Sequence, residues 1–470
     1  MTGIRRIFTI THRDERGLGL PEMLVAMVIF ALISTGVLYG LLAMLQLSRE
    51  SRAIQVAANL AAEEIDLVRG VDDIFTLVDA TRTVELNGDQ FEVRRIARWV
   101  SDPGLDLDCG SGGQPLRYKR VAVEVRWDNM RDADNPVASY TIVDPDNRIN
   151  DPSLGTILVN VINASGTGTS GVSVNAVPAS PANGALPLGE TPSPTDAQGC
   201  TYILKATPGN YTVTLSRAGY VDADQQATPS RIVGVEAGAA GSAGFLYDQG
   251  ATFRVNYASN RPAGQTPLLP TNLVTSFVST YGIHQSTQTA QAQAGTLRLF
   301  PFASGYEVIP GAFVEPSDGS DGCVNVDPAA WEPRVEGGQT FVGERSGPAA
   351  AAPGGSAPVV DVPMGIVDLS VSTANANRYI RAQSIDDGGP GCSIVTNFVF
   401  DRGGSSSRTN PQRIALPYGT WRFFTGNASS QNTAVPGLAI SPVTEGAVSN
   451  SLIGALLVGV VTLDPRTVVQ

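Results

Sequence analysis

Few residues in this chain are equipped for chemistry, and their spacing limits what that chemistry can be. The histidines are two, His12 and His284. His284 lies in a polar stretch with no nearby acid or nucleophile pattern, so a histidine-dependent triad has almost nothing to build on. No local pair of carboxylates is arranged for glycoside hydrolysis. Asp144, Asp146, Asn147, Asn150 and Asp151 gather oxygen ligands of the kind calcium takes. They lack the EF-hand glycine and terminal glutamate, and such Asp/Asn-Pro stretches read as solvated turns. The chain therefore reads as a non-enzyme, with no metal or cofactor expected.

One further acid is placed where an acid is costly. Arg16-Gly17-Leu18-Gly19-Leu20-Pro21-Glu22 runs directly into the apolar segment Met23 to Leu45, which at 1.5 Å per residue is long enough to cross the hydrocarbon core of a bilayer. A carboxylate drawn toward the bilayer centre costs about 2.5 kcal/mol or more, and a plain anchor has no use for Glu22. A secretory signal is a poor alternative, because its apolar region is about 7 to 15 residues. Pro21 is tolerated in a first helical turn, where its missing donor would be unsatisfied anyway.

The elements that position this acid follow. Residues 1 to 17 carry Arg5, Arg6, Arg13 and Arg16 against Asp14 and Glu15, a net positive head that stays cytoplasmic and places everything after about residue 48 outside. Within the span, Gly36 and Gly40 form a GxxxG, which lets helix backbones approach closely or is incidental, since glycine is common in membrane helices. From Ser48 to Arg69 the apolar positions Ile54, Ala57, Ala58, Ala61, Ile65 and Val68 recur at helical intervals, with Arg49, Glu50, Arg52, Glu63, Glu64 and Asp66 on the other faces. Gly70 reads as the stop. The expectation is one spine helix over 18–70, half in lipid (about 23–47) and half amphipathic.

These residues resemble the class III signal of type IV prepilins and type II secretion pseudopilins. In that family a membrane peptidase cuts after a glycine on the cytoplasmic side, methylates the new terminal amine, and leaves a glutamate at the fifth mature position. Gly17, Leu18 and Glu22 fall on those places. Leu18 stands where phenylalanine is usual, and Gly19 where a small hydroxyl residue is usual. The resemblance covers roughly residues 13 to 70. It implies a leader of residues 1–17, cleavage between Gly17 and Leu18, N-methylation of Leu18, and assembly through Glu22 paired with the amine of a neighbouring subunit. A buried carboxylate is tolerated when an opposite charge lies close by.

Beyond the helix the pattern turns to strands. Thr81 to Leu86 and Gln90 to Val100 flank Asn87-Gly88-Asp89, a hairpin signal. Tyr118 to Trp127 alternates, with Val121, Val123, Val125 and Trp127 on one face. Residues 71–150 thus form a small antiparallel sheet able to cover the helix, and resemble the head of minor pilins. Residues 154–247, with Gly155 to Val161, Thr195 to Gly199 and Pro208 to Leu215, resemble the carboxypeptidase regulatory-like β-sandwich. Two further β-rich blocks follow, 252–344 and 359–470, separated by an Ala/Gly/Pro/Ser-rich linker at 345–358. Ser451 to Val461 is too short to span a membrane and reads as a buried strand. The fold class expected is α+β: a long N-terminal helix with a small sheet, then all-β sandwich-like modules.

Composition agrees with exposure outside the cell. The net charge of -12, with 50 Gly and 31 Pro, fits turn-rich soluble domains and is unsuited to nucleic acid, whose phosphates demand Lys and Arg. Lys119 and Lys205 are the lysines, which weakens a lysine-asparagine cross-link. Leu416 to Thr420 superficially resembles a sortase signal, but Gly precedes Thr and no hydrophobic tail with a basic end follows. Cys109, Cys200, Cys323 and Cys392 all lie in the part placed outside, where disulfides persist, and none has a CxxC spacing. Four cysteines allow three pairings and the sequence does not choose. The reading leans to Cys323 with Cys392 and Cys109 with Cys200, with free buried thiols as the alternative.

The expected function is a minor pilin-like subunit of a bacterial type IV pilus or related filament, held first in the cytoplasmic membrane and then in an extracellular filament, with a large ectodomain for adhesion. The alternatives are a type II secretion pseudopilin and a membrane-anchored adhesin that never polymerises. The partners implied are the prepilin peptidase, other pilin or pseudopilin subunits, and a surface or glycan ligand. Tyr418, Trp421 and Phe423 are candidates to line a glycan site, although their alternation favours sandwich core.

Overall fold

The computed structural model describes residues 20–86, 88–100, 106–107, 109, 116, 118–128, 130, 135–143, 151–288, 291–317, 322–385, 390–444, 448–449 and 459–468; at 21–22, 106–107 and 448–449 it describes the backbone alone. The chain divides into two compact units, one of residues 1–100 and 117–147, the other of 101–116 and 148–470.

The first unit is built on a single helix, Leu20–Arg69, of 50 residues. Nothing in its sequence interrupts it, since its one proline sits in the first turn. Its end is set at Gly70, whose N–H reaches the carbonyls of Asp66 at 3.1 Å and Leu67 at 3.2 Å. The second half packs on an antiparallel meander of strands Ala80–Leu86, Asp89–Val100, Tyr118–Trp127 and Val137–Val143, in that order. Leu86 pairs with Asp89, and Gly88 takes the positive φ of 84° that so tight a hairpin needs. Val121, Val123, Val125 and Trp127 face the helix and are buried, as the alternation requires.

The helix stripe that meets this sheet is Ala53, Ala57, Leu60, Ala61, Glu64, Ile65 and Val68. This corrects the sequence reading in two places. Ile54 and Ala58 are exposed, because the buried face is centred on the alanines, whose small side chains let the helix lie close to the sheet. Glu64, assigned to an outer face, lies on the buried one.

In the second unit, residues 155–249 form two sheets. One orders Tyr220–Asp222, Ala240–Gln249, Gly155–Ile162 and Cys200–Ala206, and the other Ser230–Val235, Gly209–Ser216 and Ser173–Pro178. Their inner faces share a core that includes Ile157, Val161, Tyr211, Val213, Phe245 and Tyr247. Gly199, at φ +76°, brings its backbone against the carbonyl of Val161, where a Cβ would lie 2.1 Å from the oxygen, so the turn tolerates no side chain there.

From Ala251 onward the chain departs from the expected division into two blocks and a linker. One continuous core runs from Ala251 to Leu463 and takes residues from both blocks, among them Phe253, Phe277, Ile366, Phe398, Trp421 and Val461. Strand Ala251–Tyr257 pairs in parallel with Val360–Val362, and Gln339–Val342 pairs with Thr467–Val468. The stretch 345–358 is laced into this body. Ala349 exchanges both backbone hydrogen bonds with Tyr306, and Ala357 donates to Thr252 at 2.9 Å. Its alanines give the composition of a linker, yet the same small side chains let an irregular segment pack against sheets. Of the expected strand Ser451 to Val461, residues 451–458 lie outside the described residues, and Val460–Leu463 is a strand.

Two disulfides join Cys109 to Cys200 and Cys323 to Cys392, with Cα atoms 5.5 Å and 3.9 Å apart. Both lie in the second unit.

Candidate functional site

The region with a legible task is the N-terminal helix and the way the head grips it. From Leu20 to Arg49 the described side chains are solvent-exposed, including Leu24, Val28, Phe30, Leu32, Val37 and Leu41. This is the one helix among the described residues long and apolar enough to cross a membrane. An apolar surface of this length on every side of a helix is stable only in lipid or against other helices. Thr35 closes its hydroxyl onto the carbonyl of Ala31 at 2.7 Å, so the polar atom makes no demand on the surroundings.

Gly36 and Gly40 lie on this exposed stretch, and a Cβ added at either would meet nothing within 4 Å. They leave a shallow track open to a second backbone. Gly17 and Leu18 lie outside the described residues; Glu22 is in the first turns of the helix, its side chain outside the description. The structure places Glu22, Gly36 and Gly40 on one helix, Leu20–Arg69.

The head grips the helix through charge as well as packing. Glu64, 5% exposed, accepts from Arg95 Nη1 at 2.9 Å and from Arg82 Nε at 3.1 Å. The two arginines come from the adjacent strands Ala80–Leu86 and Asp89–Val100, so one carboxylate ties the helix to the hairpin. Arg95 also donates through Nε to the carbonyl of Val78 at 3.0 Å, which fixes its guanidinium. Arg69 donates to Thr141 Oγ1 at 3.2 Å on the far strand. Arg49 is ion-paired with Asp89 beside the hairpin turn. A cleft of about 600 Å³ opens there, lined by Leu47, Arg49, Glu50, Asp89, Trp127 and Asp128, where the bare stem passes into the covered helix.

Other sequence candidates divide clearly. Trp421 and Phe423 are buried in the core, with Trp421 Nε1 donating to the carbonyl of Pro417 at 3.0 Å and its ring 5.4 Å from that of Phe398. Neither can face a sugar. Tyr418 is buried too, but it lines a cleft. His284 is partly buried, and burial pushes its imidazole below the ordinary value. Asp151 accepts from Ser153 N at 2.8 Å and Oγ at 2.6 Å, bonds that hold its carboxyl low; Asp144, Asp146, Asn147 and Asn150 lie outside the described residues. Lys119 is buried, donating to the carbonyl of Leu77 at 2.7 Å.

Sequence reasoning missed the Glu64 clamp. The face on which Glu64 lies, though not its arginine partners, was readable in the spacing: Glu64 falls three residues after Ala61 and seven after Ala57, on the alanine face rather than opposite it.

Residues 12–38 match the model of the prokaryotic N-terminal methylation motif. The N-terminal segment is thus of the prepilin type. No curated protein matches the chain. Among solved structures the chain is similar to the Bacillus anthracis TIE protein (11% identity, 78% of this chain and 70% of that one, TM-score 0.19). It is also similar to a streptococcal ancillary pilin (10% identity, 60% and 80%, TM-score 0.19) and to a variant of BcpA, the major pilin subunit of Bacillus cereus (12% identity, 67% and 92%, TM-score 0.18). At these TM-scores the likeness carries no argument.

Proposed function

We propose that the chain is a minor pilin-like structural subunit of a bacterial type IV pilus or related filament. The observation that carries this reading is the methylation motif at residues 12–38 running without a break into a 50-residue helix whose first half is bare and apolar and whose second half is clamped to a head. A membrane anchor alone does not require the motif; a filament spine requires both parts.

In this reading the prepilin peptidase cuts between Gly17 and Leu18 and methylates the Leu18 amine. The helix then leaves the cytoplasmic membrane for the core of the filament, and Glu22 pairs with the terminal amine of a neighbour. An unpaired carboxylate in that apolar core is costly, and a close opposite charge offsets the cost. Gly36 and Gly40 provide the close approach. The carboxypeptidase regulatory-like character of residues 154–247 belongs to the same proposal, as a display module with no activity of its own, and so does an adhesive role for the ectodomain near the filament tip, where its bulk does not crowd a repeating shaft. A type II secretion pseudopilin uses the same machinery and is separated by which system's deletion blocks surface display.

The test is the yield of the protein in filaments sheared from cells. Glu22→Ala is expected to insert and be cleaved but to be depleted from the sheared fraction. Recovery of cleaved Glu22→Ala at wild-type yield refutes the assembly role.

A further inference from the structure

In the second unit a cleft of about 430 Å³ opens beside the strand Gly419–Gly426, within the size range of small-ligand sites. Its chemistry is one-sided. Glu344 lines it, is exposed, and has no ion-pair partner among the described residues. Asp464 also lines it, but Arg466 neutralises that carboxylate at 2.7 Å. No lysine, arginine or histidine is among the described lining residues.

Tyr418 is the informative residue. It is 5% exposed and its ring belongs to the core, yet its hydroxyl makes no hydrogen bond to any described residue while the residue lines the cleft. Burial, and then the carboxylate of Asp464, push this phenol well above the ordinary value, so it stays a neutral hydroxyl. A buried tyrosine hydroxyl ordinarily finds a partner. Thr444 adds a second hydroxyl, which accepts from Ile366 N at 3.3 Å and retains a lone pair. The rest of the lining is mixed: Pro262, Pro328, Pro363 and Val443 are apolar, while Asn260, whose amide is bonded to the backbone of Met364, and Thr467 are polar.

We propose that this cleft binds the side chain of a lysine on a partner polypeptide, its ammonium held by Glu344, Tyr418 and Thr444 and its methylene stem lying along the prolines. One free carboxylate with two hydroxyl acceptors matches the three donors of an ammonium, whereas a guanidinium is best met by a planar, two-pronged carboxylate. Long cationic side chains bury their stems on apolar walls while keeping the head polar. The chain's net charge of -12 draws cationic partners toward it. The cleft lies wholly in the second unit and does not depend on processing at Gly17.

The test is isothermal titration of the full chain in detergent micelles with the tripeptide acetyl-Gly-Lys-Gly-amide, its norleucine counterpart, and 1,5-diaminopentane. The lysine peptide is expected to bind saturably at one site and the norleucine peptide not to bind. Glu344→Gln, a change at an exposed position, is expected to abolish binding, and Tyr418→Phe, which keeps the ring in the core, to weaken it about tenfold with an unchanged melting temperature. Equal binding of the norleucine peptide, or lysine-peptide binding indifferent to both substitutions, overturns the site. Binding of the diamine with none of the peptide overturns the polypeptide source.

Discussion

Glu64 and Arg95 meet at 2.9 Å across the seam between helix and sheet, and this pair, with Arg82 on the neighbouring strand, fixes the head at one place on the spine. Burial makes the arrangement unforgiving, since removing one partner leaves a charge without compensation. Glu64→Gln is expected to destabilise the first unit by about 2 kcal/mol, below the fully buried case because Arg82 is partly exposed. Urea unfolding in micelles measures it. The double variant Glu64→Gln with Arg95→Met is expected to cost less than the sum of the single changes; simple additivity would show that the pair is not coupled.

Trp421 is 1% exposed in the shared core. Trp421→Ala is expected to cost about 3–5 kcal/mol, and to lower the melting transition of residues 251–463 as one event, because both blocks contribute to one core. Two separate transitions, only one of them shifted, would show that the blocks fold independently.

Much of the helix-and-head unit was legible, because its signals are local: an uncharged run, a helical recurrence of small residues, an Asn-Gly turn and the alternation of 118–127. What was not legible depends on contacts distant in sequence. Glu64 carries no mark that arginines eighteen and thirty-one positions later will fold onto it. The alanines of 345–358 look alike whether the chain is loose or wedged between sheets, and only the pairing of Ala349 with Tyr306 decides it. Trp421 and Phe423 share the alternation of the strand Gly419–Gly426, whereas Tyr418 stands just before that strand, three residues from Trp421, and nothing in the local pattern says that it lines a cleft.

The disulfides make a prediction about covalent connectivity. Non-reducing proteolysis with mass spectrometry is expected to recover peptides linking Cys109 with Cys200 and Cys323 with Cys392, whose partners are 91 and 69 residues apart. Replacing Cys323 and Cys392 together by serine is expected to cost about 2–4 kcal/mol. A peptide linking Cys109 to Cys323 would contradict the fold of the second unit.

His284 is the one histidine among the described residues. Burial lowers its folded value below the ordinary 6.5, so the unfolded chain takes up the proton first as pH falls. Stability from this group is present above about pH 6.5 and is lost as pH drops from there through the folded value. NMR titration of the imidazole checks the direction: a midpoint above 6.5 contradicts it. His284→Gln is expected to flatten the stability profile in that window.

Gly36 and Gly40 separate folding from assembly. A Cβ added at either meets nothing within 4 Å and both lie on the exposed half of the helix, so with leucine at both positions membrane insertion and the melting of the head are expected to be unchanged while the yield in sheared filaments falls. Unchanged yield would make the glycines incidental.

The central claim is that the N-terminal segment is processed so that the helix can enter a filament. Mass spectrometry of the N-terminal peptide, from cells with and without the prepilin peptidase, tests it most directly. The account predicts a mature chain beginning at methylated Leu18 when the peptidase is present and an intact leader when it is absent. A native chain that keeps Met1 in both strains, or that begins beyond Ala57, would contradict it.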